Sequence, residues 1–441
     1  MVHVGSIPAG GTKLLINANV GYINILLPGV TMPKFSEMFF CPAPWSGMYY
    51  QVNSPSPCHL IRNHHLNMTP EEYLNSDWLK RIKTDMVEGR VPPECNNCKK
   101  KESLGLKSTR GATWRYYNVG PEPNYEDMWF YNKFDADTPT LPRRIELRFS
   151  NLCNMKCRMC DETSSSEWAL EKKKFNLVPD HYNNPNGIVD TGSTPILRIT
   201  DDKVAGLKNK EMLVNLNKVC FTGGEPFIIK GYYDYLDFLI DNGFNERVDI
   251  ELFTNCSVYN PLFVDRLMKF KNVELVMSLD GVGKTAEYIR HGVAWSTVEK
   301  NALAFNSLPH PINAQVTVAI SAYTLLDVSN LSKFLMQLHS TNDNIGIKCY
   351  TVLTPGVCFR NAPAHLKQRM LEEIDKSIEI LNVPNYEIFS NELKNLKSKI
   401  SLSVDGEPDV FYEFTSKLDQ IRGESFEDTF GIPLYPVESK T

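Results

Sequence analysis

The densest chemistry in the chain lies in Asn151-Leu-Cys153-Asn-Met-Lys-Cys157-Arg-Met-Cys160, a C-x3-C-x2-C triplet. Thiolates are the ligands that hold iron–sulfur clusters, and a cubane cluster has four irons, so three cysteines leave one corner to a ligand from outside the protein. Chemistry happens at such an open corner. The triplet by itself also allows a zinc site or three buried thiols, although structural zinc favours four closed ligands. Cys41, Cys58, Cys95 and Cys98 form a second set. Four thiolates would fill a cluster, which then suits electron transfer or support, or would close a zinc knot. A third feature is Gly223-Gly224-Glu225-Pro226. Glycines let a backbone approach a ligand closely, and a carboxylate accepts hydrogen bonds from an ammonium. In isolation such a tetrapeptide is only a turn.

These residues need a scaffold, and six stretches supply it: 144–149, 218–222, 249–254, 273–279, 314–320 and 347–353, each apolar and each followed by helical spacing. Alternation on this scale predicts a parallel α/β sheet. Sites in such sheets gather at the C-terminal ends of the strands. The triplet lies at the first of these ends and Gly223 at the second. The third stretch ends in Asn255, and the fourth carries Ser278 and Asp280, with Arg290 shortly after. Asp280 also suits a turn cap, and His291 suits a satisfied surface position. The guanidinium of Arg290 matches a carboxylate in a two-pronged fashion.

Ahead of this region, Cys41-Pro-Ala-Pro-Trp45, Tyr49–Val52, a Pro/Ser turn and Cys58 read as a β-hairpin with cysteines at its ends. Two helical segments follow, one at Thr69-Pro-Glu-Glu72 and one beginning at Ser76, and Cys95-Asn-Asn-Cys98 closes the module.

In combination, the triplet at a first strand end and Gly-Gly-Glu-Pro at the second resemble the radical S-adenosylmethionine (SAM) enzymes. The resemblance implies a partial (β/α)6 TIM-like barrel and a [4Fe-4S] cluster on Cys153, Cys157 and Cys160 whose open iron is chelated by SAM. It further implies that Gly223, Gly224, Glu225 and Pro226 receive the methionyl amino group. Asn255 belongs to the same cofactor-binding set, Ser278 and Asp280 meet the ribose hydroxyls, and Arg290 meets the carboxylate. Met159 departs from the family, which often has an aromatic residue before the last cysteine. The N-terminal module is similar to the SPASM and twitch domains, which hold an auxiliary [4Fe-4S] cluster, but those usually follow the barrel rather than precede it. The implied activity is reductive cleavage of SAM to a 5′-deoxyadenosyl radical that abstracts hydrogen from a substrate, a peptide or protein side chain by preference. The implied electron donor is a flavodoxin or ferredoxin. Two other readings stay open: a zinc-stapled, non-catalytic binding protein, and a SAM-binding member that has lost catalysis.

The expected organisation is an N-terminal arm over 1–35, the cysteine module over 36–102, an aromatic connector over 103–143, the barrel over 144–383 with an insertion at 171–215, and a helical extension over 384–441. A net charge of −5 without a basic stripe argues against a polyanion partner, so no nucleic acid is expected. No apolar run is long enough for a membrane span, and no secretory signal is read at the start. The eleven cysteines are odd in number and grouped, which argues against a disulfide scaffold and for a reducing, cytoplasmic setting. Cys220, Cys256, Cys349 and Cys358 fall outside both sets and read as small hydrophobes.

Overall fold

The structure, a computed structural model, describes residues 39–51, 54–61, 67–103, 108–116, 135–175, 196–402 and 406–436, together with two short antiparallel strands, β1 (Leu14–Ile16) and β2 (Ile23–Ile25). The rest of the N-terminal arm, the aromatic stretch 117–131 and the insertion segment 181–187 lie outside the described residues.

The six expected strands form as β5 (Arg144–Arg148), β6 (Lys218–Phe221), β7 (Asp249–Thr254), β8 (Val273–Ser278), β9 (Ile312–Ile320) and β10 (Gly346–Thr351). Each pairs parallel with the next. Two further strands complete an eight-stranded sheet, β3 (Gly47–Gln51) and β4 (Ser54–Ser56), in the order β10-β9-β8-β7-β6-β5-β3-β4. The architecture is therefore α/β with a mostly parallel sheet.

Successive side chains on a strand point to opposite faces. One face is apolar: Ile145, Leu147, Val219, Phe221, Ile250, Leu252, Leu275 and Met277 are fully buried. The helices between the strands cover it. Lys230–Asp241, for example, buries Tyr232, Tyr235, Leu236 and Leu239, a stripe at helical spacing. Burying a large apolar side chain contributes roughly 1.5–3 kcal/mol, so this face carries most of the stability. The other face carries Arg144, Glu146, Lys218, Glu251, Glu274 and Lys348. Glu251 is at its centre, 3.0 Å from Arg144, 2.7 Å from Lys348 and 3.5 Å from Lys218. A parallel sheet enclosed on both sides would read as continuous apolar runs, and the alternation seen here follows from a polar second face.

The hairpin expected in a separate N-terminal module does not stand apart from the barrel. β3 runs parallel to β5, from Gly47 opposite Arg144 to Gln51 opposite Arg148, and β4 returns antiparallel to form one sheet edge. Met48 and Tyr50 join the main core, whereas Phe40, Cys41, Ala43, Trp45, Ile82 and Met86 make a second, small one. The helices Pro70–Leu74 and Asp77–Val87 start where their caps dictate. Thr69 and Glu72 form a reciprocal capping box, and Ser76 accepts from the Leu79 amide.

After β10 the chain is helical over Ala364–Ile380, Glu387–Leu402, Pro408–Arg422 and Phe426–Phe430. No helix among the described residues is long and apolar enough to cross a membrane.

Candidate functional site

The cysteine loop leaves the C-terminal end of β5 and is tied at both ends. Asn151, fully buried, donates from Nδ2 to the Glu162 carbonyl at 2.8 Å and accepts from the Leu197 amide at 2.8 Å, joining the start of the loop to its end and to Leu197 within the insertion. The Cys160 amide donates to the Cys157 carbonyl at 2.9 Å, a tight turn. Trp168 Nε1 donates to that same carbonyl at 2.6 Å, and Ser165 Oγ donates to the Met155 carbonyl at 2.6 Å. The helix Ser166–Phe175 thus anchors the middle of the triplet.

All three thiols resist deprotonation. Burial pushes Cys153 up to about 12, with Cys157 adding to it, and burial raises Cys157 against the opposing pull of Arg290. Cys160 is raised well above its ordinary value by burial, then by Asp161, Cys157 and Cys153. Two donors face the sulfurs: Asn255 Nδ2 lies 3.7 Å from Cys153 Sγ and Arg290 Nη1 lies 3.8 Å from Cys157 Sγ. Three soft donors on one loop, Cys157 buried and Cys153 and Cys160 half-buried, with polar hydrogens ready for their anions, fit a cysteine-held iron–sulfur cluster. Among the described residues no three or more His, Cys, Asp or Glu side chains close on a point as a single ion requires. Thiolates that bind separate corners of a cluster need not converge in that way.

The Gly223–Pro226 segment is folded onto the cysteine loop. Gly223 and Gly224 both have left-handed backbones, φ 73° and 57°. A Cβ on Gly224 would stand 2.4 Å from the Leu152 carbonyl oxygen, so only glycine allows the two loops to touch. The Gly224 amide donates to the Ser164 carbonyl at 3.1 Å and the Glu225 amide to the Leu152 carbonyl at 2.8 Å.

The Glu225 side chain is turned into the protein. It is fully buried, and its carboxylate accepts from the Asn255 amide at 2.7 Å, Thr254 Oγ1 at 2.9 Å and the Phe227 amide at 3.2 Å. Burial raises it to about 7 despite these bonds. Here Glu225 pins the end of β7 to the loop after β6. Asp280 and Arg290, the ribose and carboxylate candidates, pair with each other, with Arg290 Nη2 2.6 Å from Asp280 Oδ2 and the Asp280 side chain fully buried. Asp280 Oδ1 accepts from the Ala319 amide at 2.7 Å. Burial raises the Asp280 carboxyl while Arg290 opposes it, and the guanidinium stays charged. Ser278 keeps an open aspect, lining a small cavity with Met155, Leu279, Val293 and Trp295 beside the Asp280–Arg290 pair.

Cys41, Cys58, Cys95 and Cys98 also come together. Burial raises Cys41 to about 11, with Cys98 contributing, and raises Cys58 to about 12, with Cys41 contributing. Cys95 is raised by burial and then by Cys41, Cys58 and Cys98. None of the eleven cysteines is in a disulfide. Of this set, Cys58 lines a small cavity beside the main sheet with His59, Tyr49, Arg144 and Glu146. Cys220, Cys256 and Cys358 are buried, as small hydrophobes are.

No family model matches the sequence, and no curated protein matches it. Among solved structures the chain is similar to SuiB of Streptococcus suis bound to the precursor peptide SuiA, with 16% identity, 64% of this chain and 60% of that chain covered, and a TM-score of 0.34. It is also similar to SuiB bound to S-adenosylmethionine, with 15% identity, coverage of 68% and 61%, and a TM-score of 0.35. A third is TYW1 with a lysine-pyruvate adduct bound, with 14% identity, coverage of 66% and 89%, and a TM-score of 0.31. The chain thus spans about three fifths of the length of SuiB. At these identities and scores the site residues, not the likeness, decide the chemistry.

Three groups at the site were not legible as such in the sequence. Arg158, inside the triplet, and Arg422, in the C-terminal helix, are both buried among carboxylates brought from far along the chain. Tyr350 stands at the end of β10, more than half exposed and opposite Ala319, whose amide bonds Asp280. The one available signal was that Lys156 and Arg158 place charge inside a buried loop, which demands partners somewhere.

Proposed function

We propose that this chain is a radical SAM enzyme. The observation that carries the proposal is the contact between two loops at adjacent ends of parallel strands: a three-thiol loop after β5, and a Gly-Gly-Glu-Pro loop after β6 whose Gly224 can tolerate no side chain against Leu152. In this reading Cys153, Cys157 and Cys160 hold a [4Fe-4S] cluster, and Cys41, Cys58, Cys95 and Cys98 hold an auxiliary one. Loaded there, the first cluster would supply one electron to the sulfonium of SAM, giving methionine and a 5′-deoxyadenosyl radical for hydrogen abstraction.

The chain's own residues bind, orient and exclude water. The Gly223–Pro226 backbone offers the close approach that a small charged ligand needs. Glu225 fixes that backbone to Thr254 and Asn255 rather than meeting the ligand through a free carboxylate. Ser278 remains the ribose candidate, lining a small cavity together with Asp280 and Arg290, and Asp280 orients Arg290 beside Cys157. We place the substrate among peptides or protein side chains, which with small molecules are what SPASM and twitch relatives act on, and SuiB is a protein solved with a precursor peptide bound. The electron donor would be a flavodoxin or ferredoxin.

The test is anaerobic reconstitution followed by metal analysis and a 5′-deoxyadenosine assay with reductant and SAM. Brown protein with about eight irons per chain, from two four-iron clusters, and SAM-dependent 5′-deoxyadenosine are expected. Colourless protein holding zinc would overturn the reading in favour of a zinc-stapled binding protein. Full iron without 5′-deoxyadenosine would indicate a SAM-binding member without catalysis.

A further inference from the structure

The triplet needs only its three thiols to hold metal, yet the residues between them carry two cations, Lys156 and Arg158, each paired with carboxylates from outside the loop. Arg158, between Cys157 and Cys160, is fully buried. Its Nε donates to the Tyr288 carbonyl at 3.0 Å, and its Nη2 reaches Asp419 Oδ1 at 2.5 Å and Glu424 Oε2 at 2.6 Å. The guanidinium lies 3.5 Å from the centre of the Tyr288 ring, and the Tyr288 hydroxyl itself donates to Asp419 at 2.7 Å. Lys156, between Cys153 and Cys157, pairs with Glu171 at 2.5 Å, and Glu171 also takes Arg422 at 2.8 Å. The Arg422 side chain is fully buried, 5.0 Å from the centre of the Trp168 ring, and Trp168 is the residue that bonds the Cys157 carbonyl. Asp419, Arg422 and Glu424 all belong to the end of one helix, Pro408–Arg422, and the turn after it.

The backbone repeats this pattern. The Lys156 amide donates to the His291 carbonyl and the Arg158 amide to the Ile289 carbonyl, both at 2.8 Å, so the triplet lies along 289–291, the strip that carries Arg290. His291 Nδ1 in turn lies 2.6 Å from Glu424 Oε1.

A buried guanidinium is costly unless it is paired and hydrogen-bonded, and removing its partners costs several times what a surface pair contributes. A loop of eight residues, Cys153 to Cys160, holding three ligands without a fourth would otherwise sample many backbone states, whose entropy is lost on ordering. Resting on the radical SAM reading above, we propose that residues 408–430 form the outer wall of the cluster loop, with Arg158 and Arg422 as positioning residues that fix the three thiolates. The C-terminal extension is then part of the cofactor site, although it lies more than 250 residues further along the chain. Near the loop, Asp419 and Glu424, half-buried and shared with Arg158 and His291, also place carboxylates that hold the potential of a bound cluster down.

The experiment uses the full chain, reconstituted anaerobically, with iron content, redox titration of the SAM-responsive cluster signal and circular dichroism as readouts. Arg158→Gln is expected to fall from about eight to about four irons per chain, keeping the auxiliary set loaded and the far-ultraviolet spectrum intact. Arg158→Lys, which keeps the charge but not the fork, should restore part of the loss. The near-isosteric pair Asp419→Asn/Glu424→Gln, which leaves Arg158 buried without its counter-charges, should lose part of the iron of the three-cysteine cluster and shift the reduction potential of the remainder upward, a change that a merely structural role would not produce. Full iron in Arg158→Gln overturns the proposal. Should that variant fail to fold, an unchanged potential in the double variant overturns it. Failure of the wild-type protein to bind iron would instead sink the radical SAM reading itself, so the two failures are told apart.

Discussion

Asp280→Asn separates a structural ion pair from a ligand contact. Asp280 has a fully buried side chain, and Arg290 is 15% exposed, with Nη2 2.6 Å from Asp280 Oδ2. Asparagine would keep the acceptor for the Ala319 amide, so the backbone bond of 2.7 Å survives and the change isolates the charge. Among the described residues Arg290 then keeps Cys157 Sγ at 3.8 Å and the nearby Tyr350, and its buried Nε has no hydrogen-bond partner there. Breaking one side of a buried pair costs about 3–5 kcal/mol. That is a large share of a typical folding free energy of about 5–15 kcal/mol. Urea unfolding of the reduced, metal-free protein at neutral pH should show a lower midpoint with an unchanged slope. SAM affinity of the reconstituted protein should weaken as a consequence, because Arg290 is no longer held beside Cys157. If stability stays within about 0.5 kcal/mol of wild type while SAM binding is lost, Asp280 faces the ligand, and the pairing with Arg290 is not what holds the fourth strand end.

Further perturbations test the rest of the site. Cys157→Ala should abolish 5′-deoxyadenosine formation while the four-cysteine set keeps its iron, and unchanged turnover would refute the assignment of the triplet. Gly224→Ala forces a left-handed residue, at roughly 1–2 kcal/mol, and sets a methyl against the Leu152 carbonyl; SAM affinity should drop sharply in calorimetry, and a wild-type value would mean that the two loops need not touch. Trp168→Phe leaves the Cys157 carbonyl without its indole donor in a buried setting, for an expected loss of about 1–3 kcal/mol in chemical denaturation. Burial pushes Glu251 upward, but Arg144, Lys348 and Lys218 outweigh it and hold the carboxyl at about 2, below its ordinary 4.5. Its contribution, on the order of 3 kcal/mol, is therefore present above about pH 4.5 and fades as pH falls toward 2. Glu251→Gln should be less stable than wild type at pH 7 with the gap narrowing in acid, and a gap independent of pH would count against this account.

Much of the scaffold was legible in one dimension. The six strands β5 to β10 came from apolar runs whose ends matched turn chemistry, and the start of the helix at Asp77 came from Ser76 as its cap, since both depend on neighbours within a few residues. The cysteines, Gly223–Pro226 and Ser278 could be marked as candidates because ligand type and loop spacing are local properties. The sequence determined by itself which atoms could bind a cluster and where along the strands they would emerge.

Pairing across distance was decided elsewhere. Glu225 turned inward to Thr254 and Asn255, and Asp280 to Arg290, because buried charge takes the nearest donor that packing supplies, and packing is a property of the whole chain. The N-terminal hairpin became part of the barrel sheet because the unpaired edge of β5 accepts β3, a match that no local pattern announces. Arg158 met Asp419 and Glu424 for the same reason. A guanidinium in a short cysteine loop signals only that it must be neutralised, and tertiary structure alone selects the helix that does so.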